Sequence, residues 1–471
     1  MHTDGKASLS TVEALVDQLR GDVIRPVDDG YDQARRVHNA MIDRRPRAIA
    51  RCADVADVIT TVRLAREGGA LIAVRGGGHN GAGLGVCDGG IVLDLSQLRG
   101  VRVAPENATV RVEGGCTLGD VDHATHTFGL ATPFGIISTS GVGGLTLGGG
   151  IGYLSRRYGL SVDNLLSADV VLADGTFVTA SAEQHPDLFW ALRGGGGNFG
   201  VVTSFEFRCH PVRTVVTGPV LYDLDDAAEV MRWYREFLPA APDDLNGFFT
   251  FLTVPPAPPF PEHLHLRKVC GVMWCYTGTP ERAEDVLAPV RAFGNPVLDG
   301  LHEAPFPALQ SAFDGLYPPG LQWYWRADFI QDITDEAIAV HEKFGEVPTM
   351  HSTMHLYPID GAVHDVDAAD TAFGHRDATW AGVIVGVDPD PANAPTIKQW
   401  AVDYWEALHP HSAGGAYVNF LMDEGDARVR AAYGDNYDLL AQIKALYDPD
   451  NFFRINQNIA PVATRLEQEL Q

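Results

Sequence analysis

Gly141-Val-Gly-Gly-Leu-Thr-Leu-Gly-Gly-Gly-Ile-Gly-Tyr153 is the stretch on which the reading of this chain turns. Gly141, Gly143, Gly144, Gly148, Gly149 and Gly150 fall within ten residues that carry no charge. A glycine costs roughly 0.5–1 kcal/mol against alanine in helix or strand, so a folded chain keeps a run like this where backbone must approach something closely. A tight turn between core elements would account for one or two of them, hardly for all six. Upstream, Val74-Arg75-Gly76-Gly77-Gly78-His79-Asn80 follows a strand-like run. Three successive glycines can turn their N–H groups toward an anion such as a pyrophosphate, although a flexible turn at a strand end reads the same way. A third run, Gly195-Gly-Gly197-Asn-Phe-Gly200, fits GxGxxG but stands in the wrong order. Helix-like Asp187–Arg193 precedes it and strand-like Val201–Phe207 follows, whereas a dinucleotide fingerprint needs strand, then loop, then helix.

Around these runs the apolar pattern predicts strands at 71–74, 91–95, 109–112, 170–173 and 177–179, with helices at 55–67, 118–128 and 187–192. Strands and helices mix without strict βαβ alternation, which points to an α+β fold. The character changes near His210. Beyond it, a Pro-rich loop at Val254–Pro261 precedes amphipathic strands (271–276, 323–330, 379–387) and two helices, one at 280–293, the pattern of an antiparallel sheet backed by helices. Residues 433–457 read as helix, turn and an Asn/Gln-rich tail. At 471 residues the chain can hold two or three domains.

The formal net charge of −26 argues against nucleic acid and anionic membrane surfaces as partners. No apolar run approaches the length of a membrane span. Residues 1–20 show a helical pattern without an apolar signal core, so a cytoplasmic location is expected. The six cysteines are scattered without a CxxC pair and read as reduced, packed residues. His123 with His126, and His409 with His411, have no third ligand nearby in sequence, so no metal site is expected.

In this order the runs resemble the berberine-bridge-enzyme-like FAD-linked oxidases, within the vanillyl-alcohol-oxidase (PCMH-type) flavin fold. Further matching segments are Arg157–Asn164, Ala173-Asp-Gly175, Trp190–Gly195, Tyr417-Val-Asn419, Tyr447–Asn451 and Asn456-Gln-Asn458. The resemblance implies an FAD-binding domain over residues 1–212 (core about 46–212), a substrate domain over 213–411, and a segment, 412–471, returning to the first. It implies that FAD is held by Arg75, Gly76, Gly77, Gly78, Asn80 and Gly81, by Gly141, Gly143, Gly144, Gly148 and Gly149, and by Asn164, Val202, Asn456 and Asn458. His79 corresponds to the residue bonded to the flavin 8α-methyl group. Many relatives add a second link through a cysteine, but Ile137 stands at that place, so a single attachment is expected.

The same resemblance implies hydride transfer from a small-molecule substrate, a sugar or secondary metabolite, with O2 as the acceptor that restores the flavin. Two places where relatives carry a base are vacant: Phe420 stands where many have tyrosine, and a glutamate position aligns near Gly382. The remaining candidates are Tyr357, Tyr324, Tyr417 with Asn419, and His355, with Tyr357 favoured. For each tyrosine taken singly, an aromatic packed in a sheet with its hydroxyl bonded is the commoner case. A dehydrogenase, an oxygenating enzyme and a non-catalytic flavin- or ligand-binding protein are the alternatives on one scaffold.

Overall fold

The computed structural model describes residues 5–462; residues 1–4 of the N-terminal pattern and 463–471 of the C-terminal segment lie outside the described part. Three sheets position the site. The first has four strands in the order Val23–Ile24, Ala48–Arg51, Ile91–Asp94, Ile72–Arg75, and its last three run parallel. Helix Val55–Glu67 makes the crossover between two of them. Asp54 caps it by accepting from the Asp57 N–H, and the Asp57 carboxylate accepts the N–H groups of Arg20, Gly21 and Ala53. The first bond satisfies one of the donors that a helix start leaves open, and the other three fasten the preceding loops to it.

The second sheet is antiparallel, in the order Val101–Ala104, Thr109–Glu113, Val201–Arg208, Leu165–Val171, Phe177–Ser181. The strand expected at 170–173 begins earlier, at Leu165, and Ala173 falls in the turn that follows. Helix Pro186–Leu192 precedes the Gly195–Gly200 run and strand Val201–Arg208 follows it, so that run is no dinucleotide fingerprint.

The third sheet has eight strands, antiparallel throughout, and its centre runs Thr214–Asp223, Lys268–Tyr276, Leu245–Thr253, Thr353–Pro358, Trp380–Asp388, Gln322–Ile330. Strand alternation divides its side chains between two cores. Phe249, Phe251, Met354, Leu356 and Tyr324 join a core shared with helices Ala227–Ala240, Pro280–Ala292, Asp335–Phe344 and Ala394–Leu408. That makes four backing helices where the sequence pattern predicts two. Phe248, Trp323, Tyr357, Val383 and Val385 face the other way, into the core shared with the glycine-rich segments.

The chain end returns to the second sheet. Helix Tyr437–Tyr447 packs on Pro186–Leu192, and the extended stretch after it places Phe453 and Ile455–Gln457 beside the Gly195–Gly200 loop. All six cysteines are buried free thiols. Among the described residues no helix is long and apolar enough to cross a membrane.

Candidate active site

A cavity of about 360 Å³ lies between the glycine-rich loops and the inward face of the third sheet. Its floor is backbone. A Cβ on Gly77 would sit 2.4 Å from the Gly141 nitrogen, and one on Gly141 would sit 2.3 Å from the Gly77 nitrogen, so the first two glycine runs abut with no room for a side chain. Gly78 adopts φ +69°, which L side chains avoid. A Cβ on Gly144 or Gly197, by contrast, would meet nothing within 4 Å, and both residues line the cavity. Gly143 and Gly144 belong to a short helix, Val142–Leu147.

Arg75 lines the cavity, but its guanidinium is committed to Asp94 at 2.7 Å, with both side chains buried. It braces the loop from the neighbouring parallel strand. His79 and Asn80 line the cavity too. Burial, with a smaller contribution from neighbouring His38, pushes the His79 imidazole down to about 3, so it is neutral. Gly81 is off the lining; a Cβ there would overlap the Trp325 indole at 2.3 Å.

Gly148 and Gly149 also lie off the lining and carry contacts of their own. A Cβ on Gly148 would collide with the Asn419 amide at 2.4 Å, and Gly149 holds φ +133°. The Tyr417 hydroxyl accepts from the Gly150 N–H at 2.9 Å and from the Asn419 amide at 2.7 Å, while Asn419 also donates to the Leu145 carbonyl. Burial pushes the Tyr417 phenol up to about 12. Tyr417 and Asn419 line the cavity as the residues that pin the glycine turn.

The opposite wall comes from the third sheet. His355 and Tyr357 sit two residues apart on one strand, on one face, with Nδ1 and hydroxyl 2.5 Å apart. Phe248 packs on both rings. Burial drives the His355 imidazole down to about 3 and the Tyr357 phenol well up, so both are neutral, and the imidazole tautomer decides which of the two donates. Phe313, Tyr317, Trp323, Trp325 and Phe420 complete an aromatic wall. Arg75 is the one Asp, Glu, Lys or Arg among the described lining residues.

Several predicted residues fall elsewhere. Tyr324 points to the helix-covered face, where Arg326 and Lys398 lie over its ring, because neighbours in a strand face opposite ways. Gly382 likewise faces outward: a Cβ there would meet Ile330 and Leu356, whereas its neighbour Val383 lines the cavity. The Asn164 amide is used within its own turn, donating to the Tyr158 and Leu160 carbonyls and meeting His210 Nε2 at 2.6 Å. Val202 and Asn456 line the cavity, while Asn458 does not. Asn456 donates to the Gly197 and Phe453 carbonyls and keeps a buried Oδ1 with no protein partner. His38, Trp323, Trp325 and Gln457 were not predicted, nor were Gly196, Gly197 and Gly200 of the rejected GxGxxG run, all of which line the cavity. The crowding of glycines in that run was the available signal.

A glycine floor open to the cavity, an apolar wall and a spare amide oxygen fit a flat ring system with a phosphate-bearing tail, and a flavin dinucleotide has both parts. Family comparison agrees. A model for the FAD binding domain matches residues 46–181, and one described as berberine and berberine like matches 416–460. An FAD-linked oxidoreductase of Dictyostelium discoideum is 32% identical over 96% of this chain and 97% of its own length. The (R)-6-hydroxynicotine oxidase of Paenarthrobacter nicotinovorans is 30% identical over 94% and 97%. Among solved structures, 6-hydroxy-D-nicotine oxidase from Arthrobacter nicotinovorans matches with a TM-score of 0.84 at 27% identity, over 94% of this chain and 98% of that one. A chitooligosaccharide oxidase shares the fold, with a TM-score of 0.83 at 23% identity over 96% and 100%. Fold and site together define an FAD-dependent oxidoreductase. The chain belongs to the berberine-bridge-enzyme-like family of FAD-linked oxidoreductases.

Proposed function

We propose that the enzyme is an oxidase that takes a hydride from an alcohol or amine carbon of a small organic substrate, with FAD joined to the chain once, through His79. In this reading residues 1–212 and 412–471 hold the cofactor and 213–411 supply the substrate wall. FAD, when bound, supplies the hydride acceptor at N5 and passes the electrons on to O2, giving H2O2. Arg75–Asn80, Gly141, Gly143, Gly144, Val202 and Asn456 would hold it, since these residues border the open floor. Ile137 lines the same cavity and has no thiol to offer, which supports single attachment.

The observation that carries the chemistry is the buried Tyr357–His355 hydrogen bond. A buried phenol with a raised pKa is a poor base by itself. Donating its proton to His355 Nδ1 leaves the Tyr357 oxygen free to accept one from a substrate O–H or N–H. A group that is losing hydride from its carbon becomes strongly acidic, so a neutral imidazole suffices as the final acceptor. The positive charge then rests on His355 rather than on an exposed group. Phe420, at the place of the tyrosine many relatives use, lines the cavity with its ring 5.9 Å from that of Tyr357. Tyr357 with His355 therefore takes over the proton-accepting role.

The aromatic wall and the lack of free charge favour a flat, largely apolar substrate over an oligosaccharide, whose hydroxyls would go unpaired against this wall. An anaerobic panel of aromatic and polycyclic alcohols and amines, set beside oligosaccharides, tests this through bleaching of the flavin absorbance. One H2O2 per substrate oxidised on admitting air is the expected yield. Full bleaching with no peroxide would replace oxidase by dehydrogenase, and no bleaching by any compound would leave a binding protein.

A further inference from the structure

His38 belongs to none of the glycine motifs, yet its ring lies face to face with that of His79, the centroids 4.1 Å apart and the planes 20° from parallel. It also meets Trp323 at 5.3 Å. Backbone holds it from both sides: the His38 N–H donates to the Gly78 carbonyl at 3.0 Å, and its carbonyl accepts from the Gly320 N–H at 3.1 Å. The next residue, Asn39, is buried; its amide donates to the carbonyls of Gly81 and Trp323, and its oxygen accepts from the Trp323 N–H. His38 is thus seated on the strand that forms the substrate wall and presses on the loop that carries His79.

Two stacked imidazoles disfavour charge on each other, and burial already pushes His38 down to about 4. A neutral imidazole keeps a lone pair in the ring plane, the form in which it is a nucleophile. Face-to-face contact leaves that plane open, since no N–H···N bond can form between parallel rings. The contact can restrict rotation of the His79 ring, but it offers no route for the His79 proton.

We propose that His38 is a positioning residue that clamps the His79 ring in the orientation needed to bond the 8α carbon of FAD, a role that rests on the His79 linkage proposed above. In the net reaction an imidazole N–H and one 8α C–H are lost and an N–C bond forms. The two electrons and two protons released go to O2 as H2O2, so the oxidant is the one the enzyme already uses. A ring that only filled space would affect stability and leave the rate of attachment alone.

The test uses full-length chain expressed under riboflavin limitation, mixed with FAD in air and quenched in acid over time. Intact mass gives the covalent fraction, and quenching of FAD fluorescence gives dissociable binding. His38→Ala is expected to slow attachment by at least about tenfold, because misorientation of a reacting group is costly, while dissociable FAD binding persists and the melting temperature falls only as far as loss of a buried ring requires. His38→Phe restores a flat face without a nitrogen and is expected to recover most of the rate. Wild-type rates in His38→Ala overturn the proposal, as does a His38→Phe chain as slow as the alanine variant. So does loss of dissociable binding in both variants. A wild-type chain that gains no covalent flavin removes the His79 linkage itself, a result visible without any variant.

Discussion

Lys444 and Asp448 form an ion pair at 2.6 Å with neither side chain exposed. The ammonium also donates to the carbonyls of Asn198 and Phe453, and the carboxylate accepts the N–H groups of Phe452 and Phe453. One helical turn thereby ties the GxGxxG loop to the returning chain end, both of which border the cavity. Lys444→Met leaves a carboxylate buried without its partner and is expected to cost about 3–5 kcal/mol. Urea unfolding measures the loss, and flavin content should fall with it. A variant within 1 kcal/mol of wild type, by the same rough scale, would remove the pair from the account of how the floor is held.

Asp122 is fully buried, and neither of its oxygens has a partner among the described residues. Burial raises its pKa well above 3.8, so the folded chain binds this proton more tightly than the unfolded one. The sign follows. The contribution to stability is complete below the unfolded pKa and is lost, by about 1.4 kcal/mol per pH unit, as pH rises toward the folded value. Asp122→Asn cannot ionise. Its stability relative to wild type should therefore be higher at pH 8 than at pH 5, and a pH-independent difference would show that the carboxyl is paired.

The glycine floor yields a contrast between two conservative changes. Gly77→Ala forces a Cβ against the Gly141 backbone and is expected to impair folding or flavin retention outright. Gly144→Ala meets no protein atom within 4 Å, so the flavin-free chain should melt at or slightly above the wild-type temperature, as alanine favours helix. Its flavin content, measured by absorbance per chain, should nevertheless drop. Unchanged flavin content in Gly144→Ala would place the cofactor elsewhere in the cavity.

Tyr357 and Tyr324 test which face of the third sheet does chemistry. Tyr357→Phe removes the hydroxyl that bonds His355 and is expected to slow anaerobic flavin reduction by about 10²–10⁴-fold. Tyr324→Phe, beneath the backing helices, should stay close to the wild-type rate. Stopped-flow reduction with a single substrate reads both. Equal losses would mean that the sheet, not the phenol, was disturbed.

The glycine runs could be read from sequence because glycine persists where a side chain cannot fit, and the abutting Gly77 and Gly141 backbones show that constraint directly. The antiparallel third sheet was legible as a series of strand-like runs, and the order helix, loop, strand was enough to reject Gly195–Gly200 as a Rossmann turn. Face parity was not. Trp323-Tyr-Trp325 and the segment around Gly382 lie in strands covered on both sides, so apolar residues alternate with apolar residues and nothing local tells cavity from helix. Asn164 looked like a ligand residue because its segment matched the family, while its amide is consumed by the turn that it closes. His38 carried no signal at all. Its meeting with His79 depends on a strand far along the chain, and no local spacing encodes that.

The two-faced sheet has a practical consequence. Along Gln322–Ile330, Thr353–Pro358 and Trp380–Asp388, alternate residues face the cavity and the intervening ones face the helices, so the two faces can be varied separately. A designer reshaping the cavity has a ready-made register to follow: 323, 325, 353, 355, 357, 383 and 385 to be varied, their neighbours left alone.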